Sequence, residues 1–212
     1  MFPDGQDPDR KPATKNEKAL VWFLVLVFGG LMTVELVINY SPVKLGVPFF
    51  LLSWPVLLAI HEFGHAIMAR LVGWHVELVA IGSGQPRFRR RIFGLQVEFR
   101  SIPLSGFALT RAGDLIQPRL KQFLIYAAGP GVELLLVLLI SAQIGWEKML
   151  TRTDSIPMIA VQSFCVAALL GAVVNLIPFP HRTEQGLAWS DGLGMLMSWR
   201  LPDEFFARQI GR

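Results

Sequence analysis

His61, Glu62 and His65 are the residues whose types and spacing most clearly indicate chemistry. Two histidines four positions apart on a helix leave from the same face, one turn apart, so both imidazoles can bind one metal ion. A glutamate directly after the first histidine lies beside the metal without competing for it, where it can act as general base toward a water molecule. The pattern therefore predicts a metal-dependent hydrolytic site on a helix.

The motif lies inside an apolar run, Val47 to Val72, that is long enough to cross a bilayer. A spanning helix needs about 20 apolar residues. Ionisable side chains in such a segment are costly, and they are expected to be paired or metal-bound and to mark function. The competing interpretation is a pair of core histidines satisfied by neighbouring backbone. It is less favoured because hydrocarbon offers an imidazole and a carboxylate no partners except each other or a metal.

The composition is that of a membrane protein, with 52% hydrophobic residues, 17% charged residues and a mean hydropathy of +0.46. Long apolar runs predict an all-α polytopic fold with about four transmembrane helices, near 20–40, 47–72, 123–146 and 156–179. One membrane-embedded domain is expected over 19–200, between a disordered tail over 1–18 and an amphipathic interfacial tail over 201–212. The first span is interpreted as a retained signal anchor.

Basic residues are concentrated in alternate connecting segments. They precede the first span, follow the fourth, and fill the segment between the second and third, which includes the run Arg87 to Arg91. By the positive-inside rule, both termini and this long segment are cytoplasmic in a cell (inner) membrane. The net charge of +4 is therefore explained by the basic residues of the cytoplasmic segments. Such clusters contact anionic lipid heads of the bilayer, and nucleic acid is not expected as a partner.

The segment between the second and third spans changes from helical to extended patterning. The runs 76–81, 87–93 and 95–102 are rich in β-branched and aromatic residues and are separated by glycine and proline. They predict a small antiparallel sheet at the cytoplasmic side, followed by a turn over Pro103 to Phe107 and a polar connection ending near Gln122. An open sheet edge could accept an extended peptide by strand addition, although a simple capping hairpin is an equally good interpretation.

The third and fourth spans add further signals. Glu133 is an ionisable group within the third span, either a partner of the metal ligands or a residue at headgroup level. Pro178 and Pro180 cannot continue a regular helix, so the fourth span should end in irregular backbone. A short helix should follow, capped by Ser190 or Asp191. The single cysteine is expected to serve packing only.

Taken in order, these elements resemble the site-2 protease family of intramembrane zinc metalloproteases, from about Trp54 to Trp199. The resemblance is carried by His61, Glu62 and His65 in a span, Gly82 to Gly84, Pro103 to Gly106, Ala128 to Pro130 at the start of the next span, and Asn175 to Pro178 followed by Asp191 and Gly192. In combination these motifs are highly specific.

The resemblance implies a catalytic core built from the second to fourth spans, with one Zn²⁺ per chain held by His61, His65 and Asp191. It implies that Glu62 is the general base and that Asn175 contacts the substrate or the transition state. Two histidines and one carboxylate leave one position of a tetrahedral zinc ion open, which is the catalytic arrangement. The implied substrate is a single-span or signal-peptide-like membrane protein, cut in regulated intramembrane proteolysis.

The sequence departs from the family pattern at two places. Ten residues, 181–190, separate the prolines from Asp191 where the family has almost none, so this loop must fold back. The loop carries His181 and Glu184, either of which is an alternative third ligand. Glu133 stands where a neutral polar residue is expected. The chain also offers no room for an inserted PDZ domain or a C-terminal CBS domain, which predicts a compact member.

Three other classes compete with this interpretation. Soluble zinc proteases with the longer two-histidine motif need Gly and His where this chain has Met68 and Leu71. A zinc transporter needs a continuous polar path through several spans, and the first span offers only Glu35. A client-binding scaffold without catalysis would not need Glu62. The client, the cleavage position and the oligomeric state are not readable from the sequence.

Overall fold

The computed structural model describes residues 15–183 and 186–210. The helices are α1 (Lys15–Ile38), α2 (Gly46–Leu71), α3 (Pro118–Ile144), α4 (Trp146–Leu150), α5 (Ile156–Leu176), α6 (Asp191–Ser198) and α7 (Asp203–Ile210). A short 3-10 helix, Pro42–Leu45, precedes α2. The strands are β1 (His75–Ile92), β2 (Leu95–Arg111), β3 (Pro180–Thr183) and β4 (Gly186–Trp189). Most of the predicted N-terminal tail lies outside the described residues.

Within the described residues, three helices are long and apolar enough to cross a membrane: Pro42–Leu71, Pro118–Ile144 and Ile156–Leu176. They coincide with the second, third and fourth predicted spans. The third helix begins earlier than predicted because Pro118 suits the first helical position. Helix α5 ends at Leu176, because Pro178 disfavours helical backbone at Ile177, the residue before it. The apolar part of α1, Val25–Ile38, is shorter, and a fourth span stays a prediction.

Helix α2 packs against both α3 and α5. Gly64 permits the close approach to α3, because a β-carbon at this position would lie 2.8 Å from the carbonyl oxygen of Ala128. Further along the bundle, Leu57 of α2, Val137 of α3 and Cys165 of α5 belong to one buried apolar cluster. The cysteine therefore has the packing role expected for it.

Strands β1 and β2, in the segment that connects α2 to α3, form an antiparallel pair, as the extended patterning predicts. Val79, Ala80 and Ile81 each pair with residues in both halves of β2. The predicted turn over Pro103 to Phe107 is wrong, because Gly106 and Phe107 pair with Ile81 and Ala80 and so belong to β2. The sheet packs on α2 through a buried cluster that includes Ala66, Val79, Ile81, Leu95 and Val97.

The loop between the prolines and Asp191 folds back as a hairpin of β3 and β4, which pair antiparallel. Its ends are joined by a hydrogen bond from the Ser190 amide to the Phe179 carbonyl (3.0 Å). The Ser190 hydroxyl donates to the Ile177 carbonyl (2.7 Å) and accepts from the Phe179 amide (3.0 Å). It also caps α6 by accepting from the Leu193 amide (3.3 Å), so the expected helix start is confirmed.

Helix α7 is anchored at the junction of the sheet and α3. Phe206 is fully buried, with its ring centroid 6.1 Å from that of Trp74. The Gln209 side-chain oxygen accepts from the Ala112 amide (3.1 Å). Arg119 of α3 donates to the Leu201 carbonyl (2.9 Å) and pairs with Asp203 (2.8 Å).

Phe206→Ala should release α7 from this position. Removing a fully buried phenylalanine side chain costs about 3 to 5 kcal/mol. The contacts that remain are the polar ones near Leu201 and at Gln209 and the partial burial of Leu201 and Phe205. We expect limited proteolysis of the detergent-purified protein to cut near residue 202 faster than in wild type. Ile210→Ala, on the exposed part of the same helix, is the matched control. Equal cleavage rates in the two variants would contradict the anchoring role of Phe206.

Candidate metal centre

Helix α2 presents His61, Glu62 and His65 toward the protein interior, and all three side chains are buried. The two imidazole rings lie one turn apart with their centroids separated by 4.8 Å and their planes nearly perpendicular. The (i, i+4) spacing thus brings both rings to one face of the helix, as the sequence predicts.

Asp191 reaches the same point from the first turn of α6. Its Oδ2 atom lies 3.0 Å from His61 Nε2, and its Oδ1 atom lies 3.3 Å from His65 Nε2. The two Nε2 atoms are themselves 3.1 Å apart. Each of the three residues offers one ligand atom within 4.8 Å of the others, and among the described residues this is the group of at least three such side chains that could hold a metal ion.

The hydrogen bonds of the other ring nitrogens decide which nitrogen carries the proton. His65 Nδ1 lies 2.6 Å from the carbonyl oxygen of Ile125, which can only accept, so Nδ1–H is the donor. His61 Nδ1 lies 3.2 Å from Glu133 Oε2. A carboxylate oxygen accepts here in the same way. In the neutral imidazoles both Nε2 atoms then carry lone pairs, and these face each other and a carboxylate.

This convergence of lone pairs fits a zinc ion. Zinc bonds to histidine nitrogen and carboxylate oxygen are about 2.0 Å long, so the edges of a tetrahedron around zinc are about 3.3 Å. The three observed separations, 3.0, 3.1 and 3.3 Å, are close to that length. In addition, the buried Asp191 Oδ2 has no hydrogen-bond partner, although an imidazole nitrogen faces it. A cation among the three atoms would satisfy all of them.

Two glycines border the site. A β-carbon on Gly129 of α3 would meet Nε2 of His65 and would lie 2.7 Å from Nε2 of His61, so this position has room only for hydrogen. A β-carbon on Gly106 of β2 would lie 2.8 Å from Glu62 Oε1 and 2.6 Å from the Ala80 carbonyl oxygen. The Glu62 carboxyl group therefore lies against the strand, between the histidines of α2 and the sheet.

Of the remaining residues predicted for the site, Asn175 and His181 lie in described elements. Asn175 is half-buried in the last turn of α5, directly before Leu176, whose backbone touches Gly192 at the start of α6. His181 belongs to β3, where its backbone pairs with Ala188. Glu184, the other alternative ligand, lies outside the described residues.

Three contributors to the site are not singled out for this role by the sequence. The Ile125 carbonyl carries no side-chain signal, because any residue supplies a carbonyl. Gly129 and Gly106 belong to motifs read as packing and turn elements. Of the two explanations for Glu133, the structure supports a partner of the metal ligands, since Glu133 is buried and contacts His61.

The fold and the site define a class: a membrane protein with the two-histidine, one-carboxylate centre and adjacent glutamate of a metalloprotease. The family model for peptidase family M50 matches residues 49–153, which include His61, Glu62 and His65. Over this segment the chain belongs to peptidase family M50, and the predicted relation to the site-2 proteases is confirmed.

Curated relatives carry related names. A Neisseria meningitidis protein named "Putative zinc metalloprotease" is 34% identical over 104 residues, which cover 43% of this chain and 23% of that protein. The "Regulator of sigma-E protease RseP" of Salmonella typhimurium is 34% identical over 76 residues, covering 34% of this chain and 17% of that protein. In each case the matched stretch spans less than a quarter of the relative's length.

Gly129→Ala should abolish metal binding without unfolding the bundle. The added methyl group would occupy the space beside the two Nε2 atoms, whose lone pairs must be free to bind zinc. We expect the zinc content of the purified variant to fall at least tenfold. Gly131→Ala, two residues along the same helix, is the matched control, since no heavy atom lies within 4 Å of its β-carbon position. A zinc-loaded Gly129→Ala protein would show that the site lies elsewhere.

Proposed function

We propose that this protein is an intramembrane zinc metalloprotease that hydrolyses a peptide bond in or near a transmembrane segment of a membrane-protein client. The observation that carries the proposal is the convergence of His61, His65 and Asp191 beside Glu62, inside a bundle of membrane-length helices. A structural zinc site would use all four tetrahedral positions, whereas these three ligands leave one for the reaction.

Each residue of the site then has a role. His61, His65 and Asp191 would hold one zinc ion, which when bound would lower the pKa of a water molecule to about 7 and polarise the scissile carbonyl. Glu62 takes the proton of that water as it attacks the carbonyl carbon, and later passes the proton to the leaving amine. Asn175, close to the start of α6, is proposed to contact the substrate or the transition state.

The sheet is proposed to present the substrate to Glu62. A peptide bond inside a helix is shielded by its own hydrogen bonds, so the client must unwind before attack. Gly106 brings β2 into contact with the Glu62 carboxyl group. The residues from Gly106 to Arg111 pair with β1 along one edge. An extended client segment added along the other edge of β2 would pass next to the catalytic base.

The membrane topology and the client class belong to the same proposal. The distribution of basic residues supports a multi-pass protein of the inner cell membrane with both termini in the cytoplasm. One matched relative is named a regulator of sigma-E protease. This name supports a regulatory proteolytic role. The proposed client is a single-span or signal-peptide-like membrane protein.

Metal analysis tests the ligand set. After purification without chelators, we expect about one zinc per chain in wild type and in His181→Ala, and a loss of at least tenfold in Asp191→Ala, because two histidines alone hold zinc weakly. Elemental analysis of the three proteins side by side provides the measurement. Loss of zinc in His181→Ala instead would identify that residue as the third ligand. A wild type without zinc would leave the client-binding scaffold as the better proposal.

Replacement of Glu62 separates catalysis from binding. In Glu62→Gln, zinc should remain while cleavage falls by about 10² to 10⁴, since a general base contributes that much. The probe is a single signal-peptide-like helix carrying an epitope tag at each end, reconstituted with the enzyme in liposomes and followed by immunoblot. Glu147→Gln is the control, because this glutamate is exposed in α4.

The inactive variant also tests the proposed substrate path. With Glu62→Gln, a cysteine at Leu109 on β2 should crosslink to a cysteine placed near the middle of the probe helix. A cysteine at Phe93, in the turn between β1 and β2, should not. Unchanged cleavage by Glu62→Gln would exclude the protease, and crosslinking at Phe93 alone would exclude strand addition to β2.

A further inference from the structure

Glu133 is a buried acidic residue that the proposed reaction does not use. It lies within the membrane-length helix α3, and only 3% of its surface is exposed. A carboxylate in such a place carries a large desolvation cost unless it has a partner. The partner that the structure provides is His61, whose Nδ1 atom lies 3.2 Å from Glu133 Oε2.

A third helix fixes the position of this carboxyl group. A β-carbon on Gly171 of α5 would lie 3.1 Å from Glu133 Oε1 and 3.5 Å from both Cδ and Oε2. The absence of a side chain at Gly171 thus gives the carboxyl group its space between α5 and His61. The hydrogen bond to His61 is therefore held by packing as well as by charge.

The two histidines of the centre are oriented by different kinds of acceptor. His65 uses the Ile125 carbonyl, which is part of the backbone of α3. His61 uses a side-chain acceptor, the carboxylate of Glu133. Without an acceptor at Nδ1, the proton of a neutral imidazole is free to sit on Nε2, and that nitrogen could then not donate to a metal.

We propose that Glu133 is the positioning residue of His61: by accepting its Nδ1 proton, it keeps Nε2 unprotonated and aimed at Asp191 and His65. Glu133 is not itself part of the group of metal-ligand atoms. This inference rests on the proposed zinc site and adds to it the residue that sets its affinity. Comparable partners of metal-bound histidines change metal affinity by about 10- to 100-fold when removed.

Three substitutions at this position separate hydrogen bonding from charge. Glu133→Gln keeps an acceptor oxygen at the same reach and removes the charge. Glu133→Asp keeps the charge and shortens the side chain by one methylene group, so the hydrogen bond is lost. Glu133→Leu removes both. The measurement is the zinc dissociation constant of each detergent-purified protein, obtained by competition with a chromophoric chelator.

We expect Glu133→Gln to bind zinc within about threefold of wild type, and the Asp and Leu variants to bind 10- to 100-fold more weakly. Gly171→Ala provides an independent test, since its methyl group would lie 3.1 Å from Glu133 Oε1 and would shift the carboxyl group slightly with the charge intact. It should weaken binding and alter the visible absorption of the cobalt-substituted protein. Leu134→Ala, a partly exposed neighbour on α3, should change neither property.

The opposite results would overturn the inference. Wild-type affinity in all Glu133 variants would show that the residue does not position His61. Tight binding by Asp together with weak binding by Gln would assign the effect to charge alone. If wild type itself binds no zinc, the proposed function and this inference fail together, whereas a zinc-loaded wild type with indifferent variants leaves the proposed function standing.

Discussion

The structure depends on one constraint: ionisable groups inside an apolar bundle must satisfy one another. His61, His65, Asp191, Glu62 and Glu133 are all buried, and four of them are carried by membrane-length helices. In water these groups would need no partners, but in hydrocarbon each unpaired one costs several kcal/mol. The packing of α2, α3 and α6 places these groups around a single point, where they can pair with one another and so avoid that cost.

Different elements around the centre supply the partner atoms that this constraint requires. Helix α2 supplies two nitrogens, α6 supplies an oxygen, and α3 supplies acceptors for the outer nitrogens through Ile125 and Glu133. Glycines at the contacts, Gly64, Gly106 and Gly129, let backbones approach where a methyl group would not fit. Close helix contact through small residues is typical of membrane bundles, and here it also leaves the donor atoms uncovered.

Features that depend on residues close together in the sequence could be predicted, and features that depend on residues far apart in the sequence could not. The spacing of His61 and His65 is a local property of a helix, so the shared face of the two side chains and their burial followed directly. The sheet was predictable as a class, but β2 was cut short at Pro103, because Gly106 and Phe107 extend the strand only through pairing with distant residues of β1. The role of Glu133 could only be left open, since its partner lies 72 residues away in sequence.

The closure of the β3–β4 hairpin by Ser190 has a consequence for how such chains are recognised. Because the hydroxyl group and amide of Ser190 bind Ile177 and Phe179, Asp191 follows the end of α5 in space whatever number of residues lies between. Lengthening a closed surface loop adds little free energy, so the hairpin is free to vary in length. A search that demands a fixed interval between the prolines and the aspartate would therefore overlook relatives with an intact centre.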